Sequence, residues 1–195
     1  IKADLKGVSF DVVVDKERAH VVAPVLGEHQ VSNILASIAV AIAVGMPLNQ
    51  AAKAVAGIEP FTKTLKLIPG INGSIYVNDT FNNSPDSAIA ALHVLDKAAK
   101  RKILIFQPMI ELGIYAKASH SEVGVVAGRV CDDIILTNAN FVEEFIAGVH
   151  SSSPKKNVAI LSSVETAKFI SKIVIRDDAV LFKGKEAEFA FKLLT

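Results

Sequence analysis

The stretch Asp79-Thr80-Phe81-Asn82-Asn83-Ser84-Pro85 puts an acid, amides, hydroxyls and an aromatic ring between the apolar run Ser74-Ile75-Tyr76-Val77 and a helical stretch opening near Asp86. At the end of a buried strand and the start of a helix, free backbone N–H groups and the helix dipole favour an anion or a polar ligand. Ser84 and Pro85 also suit a helix cap and first turn, and asparagines suit turns, but that reading leaves Asp79, Phe81 and Asn82 unexplained. In Gln107-Pro108-Met109-Ile110-Glu111-Leu112-Gly113, Glu111 could contact a cationic or amide-bearing group, or simply be solvated. Lys183-Gly184-Lys185 suits a phosphate or carboxylate, or is surface charge. Gly27-Glu28-His29-Gln30-Val31-Ser32-Asn33 opens a helix, where His29 and Asn33 are unremarkable by type alone. The chain has no G-x-x-x-x-G-K-[ST], G-x-G-x-x-G or G-x-S-x-G motif, and none of its histidines stands at metal-ligand spacing with another ligand. No metal site is expected, and no catalytic residue can be named.

The elements that must position these residues fall into two groups. Val8–Val14 and Ala19–Val25, separated by charged residues, predict a hairpin. Val31, Ile34, Leu35, Ile38 and Ile42 make a helical stripe that Gly45 can end, and a second short helix is expected from about Pro47 to Val55. Residues 60–73, rich in proline and glycine, read as a connection, which predicts units over 1–59 and 60–195. From Ser74 onward, strand-like runs at 75–78, 102–106, 133–137, 157–161 and 179–182 alternate with helical runs near 85–99, 118–130, 140–149, 163–174 and 186–194. Capping-box spacings mark Ser119 to Glu122 and Ser162 to Glu165. The expected fold is therefore α/β, a Rossmann-like, mostly parallel sheet, preceded by the hairpin and its helices. Such sheets bind ligands at the carboxyl ends of their strands, the edge that carries Asp79, Glu111 and Lys183.

Composition narrows the class. Hydrophobic residues are 51% of 195 and charged residues 21%, enough for packed cores. A formal charge of +1 advertises neither nucleic acid nor an anionic membrane, and the apolar run Ile34–Met46 is too short to span a bilayer, which needs about 20 residues. The single cysteine, Cys131, excludes an internal disulfide, and cytoplasm is the working expectation. The chain opens on Ile1, and the expectation is a piece of something longer.

Taken in order, these motifs resemble the Mur ligase family, ATP-dependent amide-bond-forming enzymes of peptidoglycan precursor synthesis. The resemblance is to the branch whose acceptor is D-alanyl-D-alanine, which shows G-x-H-N-x-x-N, D-D-S-Y-N-A-N-P-x-S, G-D-M-x-E-L-G, H-x-x-V-G and K-G-S. Here those motifs stand as Gly27–Asn33, Asn78–Ser87, Gln107–Gly113, His120–Gly124 and Lys183-Gly184-Lys185. The resemblance implies the tail of a central ATPase domain over 1–59 and a complete carboxyl-terminal domain over 60–195. The phosphate loop, the catalytic residues and the magnesium ligands would lie upstream, so that ATP and Mg2+ belong to the full-length enzyme and the fragment is inactive alone. By the same resemblance, His29, Asn33, Lys63, Asp79, Phe81 and Asn82 would bind the nucleotide, with Asn33 near the adenine and Asp79 at the ribose. Asn83, Ser84, Glu111 and Lys183 would bind the acceptor. The implied partners are a UDP-muramyl peptide and an amino acid or D-Ala-D-Ala, with no nucleic acid, no membrane span and a monomeric protein. The chain departs from the family motifs at Thr64, where a linker arginine is expected and only Lys63 offers a charge, at Asn78 for the first Asp, at Gln107-Pro108 for Gly-Asp, and at Lys185 for Ser. Two alternatives stay open: a related folylpolyglutamate- or cyanophycin-type amide ligase, and a degenerate, non-catalytic binding module.

Overall fold

A computed structural model describes residues 1–98 and 100–195. The chain divides into two compact units, Ile1–Phe61 and Thr62–Thr195.

The first unit is a three-stranded antiparallel sheet, β1 (Lys2–Asp4), β2 (Gly7–Val14) and β3 (Glu17–Ala23), in the order β1-β2-β3, with helices α1 (Gln30–Ala43) and α2 (Leu48–Val55). Period-two alternation buries Val8, Phe10, Val12, Ala19, Val21 and Ala23 on one face, where they meet Val31, Ile34 and Ile38 of α1 and Leu48, Ala51 and Val55 of α2. On the other face Asp11, opposite His20 in the ladder, pairs with Arg18 at 2.6 Å and His20 at 2.9 Å. The expected α1 stripe needs one correction: Leu35 lies off it and is exposed, because the buried stripe runs through 31, 34 and 38.

The second unit is a six-stranded sheet, β4 (Lys66–Pro69), β5 (Ile75–Asp79), β6 (Lys102–Phe106), β7 (Asp133–Leu136), β8 (Val158–Ile160) and β9 (Ala179–Lys183). Its order is β4-β5-β9-β6-β7-β8; β4 is antiparallel to β5 and all other pairs are parallel. Between the strands run α3 (Pro85–Leu95), α4 (Ala116–Val130), α5 (Val142–Ser152) and α6 (Ser163–Ile173), and α7 (Ala187–Lys192) follows β9. Tyr76, Ile103, Ile105, Val180 and Phe182 face Ile170 of α6 and Ala187 and Ala190 of α7. The alternate positions point the other way, where Phe106 stacks on Phe145 of α5 with ring centroids 5.3 Å apart.

Some boundaries shift from those read in the sequence. α3 ends at Leu95 rather than running to 99, and Ala99 lies outside the described residues. α4 starts at Ala116, out of the single helical turn Gly113–Tyr115, so Ser119 and Glu122 stand inside the helix and form no capping box. Ser162 does form one: its hydroxyl accepts the Glu165 N–H, while the Glu165 carboxylate accepts the Ser162 N–H at 2.9 Å.

Candidate functional site

Strands β5 to β8 are laid down progressively in one direction, and β9 then returns to fill the place between β5 and β6. The carboxyl ends of β5, β9 and β6 therefore meet at the point where strand order reverses, the position at which open α/β sheets hold ligands. Asp79, Lys183 and Phe106 end these three strands, with Asp79 opposite Lys183 and Phe106 opposite Lys183 in the ladders.

Asp79 and Lys183 hold each other. Lys183 Nζ lies 2.6 Å from Asp79 Oδ2 and donates also to the Asn82 carbonyl at 3.1 Å; the two side chains are only 2% and 7% exposed. Asp79 Oδ1 accepts the Leu65 N–H at 3.2 Å, and the Asp79 carbonyl accepts the Gly184 N–H. A cation read from the sequence as a ligand contact is thus also the internal counter-ion of the acid. Next to the pair, Asn78 Oδ1 accepts the Thr80 hydroxyl at 2.8 Å and the Thr80 N–H, so the amide at this motif position keeps the acceptor that a carboxylate would supply.

Further along that loop, Phe81 and Asn82 are exposed. Phe81 N–H donates to the Lys63 carbonyl, which fastens the loop to the segment preceding β4. Asn83 is buried: its Nδ2 donates to the Gln107 carbonyl at 2.6 Å, while its Oδ1 is shut from solvent with no hydrogen-bond partner. Ser84 sits at the helix cap of α3, its N–H donating to Ser87 Oγ at 3.0 Å. Lys63 Nζ pairs with Glu188 of α7 at 2.9 Å; Lys192 at 2.8 Å and then Lys63 hold the Glu188 carboxyl below its ordinary range. His29 and Asn33 lie in the first unit, both exposed at the start of α1, with Gln30 approaching His29 at 3.2 Å and accepting the Asn33 amide at 3.0 Å.

The loop after β6 is pinned from below. His120 on α4 is fully buried, its Nδ1 lies 2.6 Å from the Ala116 carbonyl, and its Nε2 accepts the Met109 N–H at 2.9 Å. Those roles require the neutral ring with its proton on Nδ1, and burial pushes its pKa below the ordinary 6.5. The ring also stacks on Phe141, centroids 4.5 Å apart. Beyond the anchor, Glu111 is exposed in the left-handed region at φ 63°, a conformation a non-glycine side chain adopts at some cost.

Sequence reasoning missed Glu186, Thr137 and Asn138, and named Gln107 only as a departure from the family motif. Glu186 Oε2 accepts the Thr137 hydroxyl at 2.6 Å and the Asn138 amide at 2.7 Å, and the Glu186 N–H donates to Gln107 Oε1 at 2.9 Å. Their signal was position: Gln107 and Thr137 directly follow the last residue of a parallel strand, Asn138 comes one residue later, and Glu186 is the third residue after β9. Among the described residues, no group of three or more His, Cys, Asp and Glu could hold a metal ion. Cys131 is fully buried and burial pushes its thiol pKa strongly up, which makes it inert. Among the described residues no helix is long and apolar enough to cross a membrane.

The mostly parallel sheet, with its polar carboxyl edge, defines an α/β domain of Rossmann-like kind. Residues 65–186 match the family model described as "Mur ligase, glutamate ligase domain", and the chain belongs to the Mur ligase family. The UDP-N-acetylmuramoyl-tripeptide–D-alanyl-D-alanine ligase of Bacillus subtilis (strain 168) is 28% identical over 83% of this chain and 36% of its own length. The enzyme of the same name from Buchnera aphidicola subsp. Acyrthosiphon pisum is 28% identical over 96% of this chain and 40% of its own. A crystal structure of MurF from Acinetobacter baumannii superposes with a TM-score of 0.83 at 23% identity, over 98% of this chain and 42% of that one. MurF ligase from Thermotoga maritima in complex with ADP gives 0.81 at 21%, over 97% and 43%. The chain thus spans well under half the length of these relatives.

Proposed function

We propose that this chain is the carboxyl-terminal portion of an ATP-dependent ligase that joins D-alanyl-D-alanine, or a similar amino-acid acceptor, to a UDP-muramyl peptide in the cytoplasm. Residues 1–59 would be the tail of the nucleotide-binding domain and 60–195 the acceptor domain. The observation that carries this reading is the family match over 65–186, coinciding with the polar edge at the reversal of strand order. Amide formation of this kind activates a carboxylate as an acyl phosphate, which the acceptor amine attacks. The domain described here contributes by holding reactants rather than by supplying a nucleophile.

In that role Asp79, Phe81 and Asn82 form the nucleotide side of the edge and Lys63 reaches the phosphates; His29 and Asn33, which belong to the first unit, are proposed as nucleotide contacts by their motif alone. Asn83, Ser84, Glu111 and Lys183 form the acceptor side, where Lys183 works through Asp79 and the Asn82 carbonyl. The test is ADP release by the full-length protein with UDP-muramyl tripeptide, ATP and D-alanyl-D-alanine, followed by a panel of other amino-acid acceptors. Turnover dependent on the acceptor is expected; none with any acceptor would sink the reading.

One observation favours a non-catalytic relative: Thr64 stands where the family has an arginine, and Lys63 is paired with Glu188. Thr64→Arg separates the two. A large gain from a feeble basal rate marks a decayed ligase, and robust turnover before the substitution dismisses that reading.

A further inference from the structure

We infer that Gln107, which stands where the related motif has glycine, is a positioning residue: it ties the loops after β5, β6 and β9 together and thereby sets the acceptor side of the edge. The inference rests on the ligase reading above.

Gln107 is 8% exposed and makes two bonds to the end of β9 and the turn after it and one to the loop after β5. Its N–H donates to the Lys183 carbonyl at 2.9 Å, its carbonyl accepts Asn83 Nδ2 at 2.6 Å, and its Oε1 accepts the Glu186 N–H at 2.9 Å. The side chain lies across Gly184, whose φ is +91°; a Cβ there would come 2.7 Å from Gln107 Cβ and 2.9 Å from its Oε1. The turn from Lys183 to Glu186 is therefore shaped for glycine at 184 and glutamine at 107 together.

Two consequences follow at the edge. With its nitrogen turned to the Gln107 carbonyl, the Asn83 carboxamide leaves Oδ1 as a buried acceptor with no partner, an arrangement that costs stability and suits a donor brought by a ligand. Glu186 is aimed by its own N–H bond to Gln107 while Thr137 and Asn138 fix its carboxylate. A glycine at 107 could keep both backbone bonds and would lose only the Oε1 bond and the cover over Gly184. The side chain is thus the part of this device that the related motif lacks.

The experiment uses the full-length protein with saturating ATP and UDP-muramyl tripeptide, D-alanyl-D-alanine varied, and thermal melting of each variant. Gln107→Met keeps volume and loses the acceptor; Gln107→Glu keeps an acceptor oxygen. The methionine variant is expected to raise the acceptor KM about three- to tenfold, the worth of one hydrogen bond, with kcat and the ATP KM within about twofold of wild type. The glutamate variant is expected to bring the acceptor KM back. An unchanged acceptor KM in Gln107→Met, no recovery in Gln107→Glu, or a joint rise of both KM values with a lowered Tm overturns the inference. Wild type with no turnover on any acceptor removes the ligase reading itself, and the inference with it.

Discussion

Lys183 is a cation almost wholly out of water, and such a group persists only when paired. Its partner, Asp79, ends the neighbouring strand, so the pair lies across the β5–β9 ladder. Lys183→Met leaves the Asp79 carboxylate buried and unpaired and is expected to cost about 3–5 kcal/mol in urea unfolding. The double variant Asp79→Asn/Lys183→Met is expected to recover most of that loss; if the double is as unstable as the single, the pair is not what holds these strand ends. Both residues are legible in the sequence as polar groups at strand ends. Their partnership is not, because 104 residues separate them and only the return of β9 beside β5 joins them. His120 gives a pH signature. The unfolded chain takes up its proton below about 6.5 while the buried ring resists, so the unfolded state binds more protons there. Stability is therefore expected to fall as pH drops from about 7 through that value, and His120→Gln to flatten the change.

At the scale of elements, α4 and α5 approach closely through glycines. A Cβ on Gly124 would overlap the Phe145 carbonyl oxygen, and one on Gly148 would overlap the Ser121 carbonyl oxygen. Ser152 and Ser153 then donate to the Val125 and Gly128 carbonyls at 2.8 and 2.9 Å. Gly148→Ala improves helix propensity by roughly 1 kcal/mol but drives a methyl into backbone that cannot swing away. The steric cost wins: a net loss of about 1–2 kcal/mol is expected, seen as a Tm lower by several degrees, whereas an unchanged Tm would mean the helices separate freely. None of this shows in the hydrophobic period, which locates helices but not how near they come. The same blindness hid β4. Its Pro69 reads as a loop signal, yet β4 is the edge strand of the sheet, where a missing N–H is tolerated. β1 escaped notice because it has three residues and no apolar run. The alternation of strands and helices from Ser74 onward, by contrast, was readable apart from helix ends, since strands covered on both faces are mostly apolar runs.

At the scale of the whole chain, the two units differ in how far each is closed by its own residues. The second carries a six-stranded sheet with a core of its own, including fully buried Tyr76, Ile103, Val180 and Phe182. Residues 62–195 are therefore expected to fold alone and unfold in one cooperative transition, followed by circular dichroism in urea. The first unit is small, and Val40 of α1 and Val44 just after it, 65% and 79% exposed, point away from its core. Residues 1–61 alone are expected to be only marginally stable and to melt at lower urea and less sharply than 62–195, because a chain of that size buries a smaller share of its surface. A noncooperative 62–195 or a sharply melting 1–61 would reverse this ranking. The prediction bears on function because Asp79, Lys183, Gln107 and Glu186 all belong to the second unit, and their mutual bonds need nothing from the first. An isolated 62–195 should thus keep its polar edge assembled while releasing no ADP, for neither it nor the 195-residue chain contains a phosphate loop.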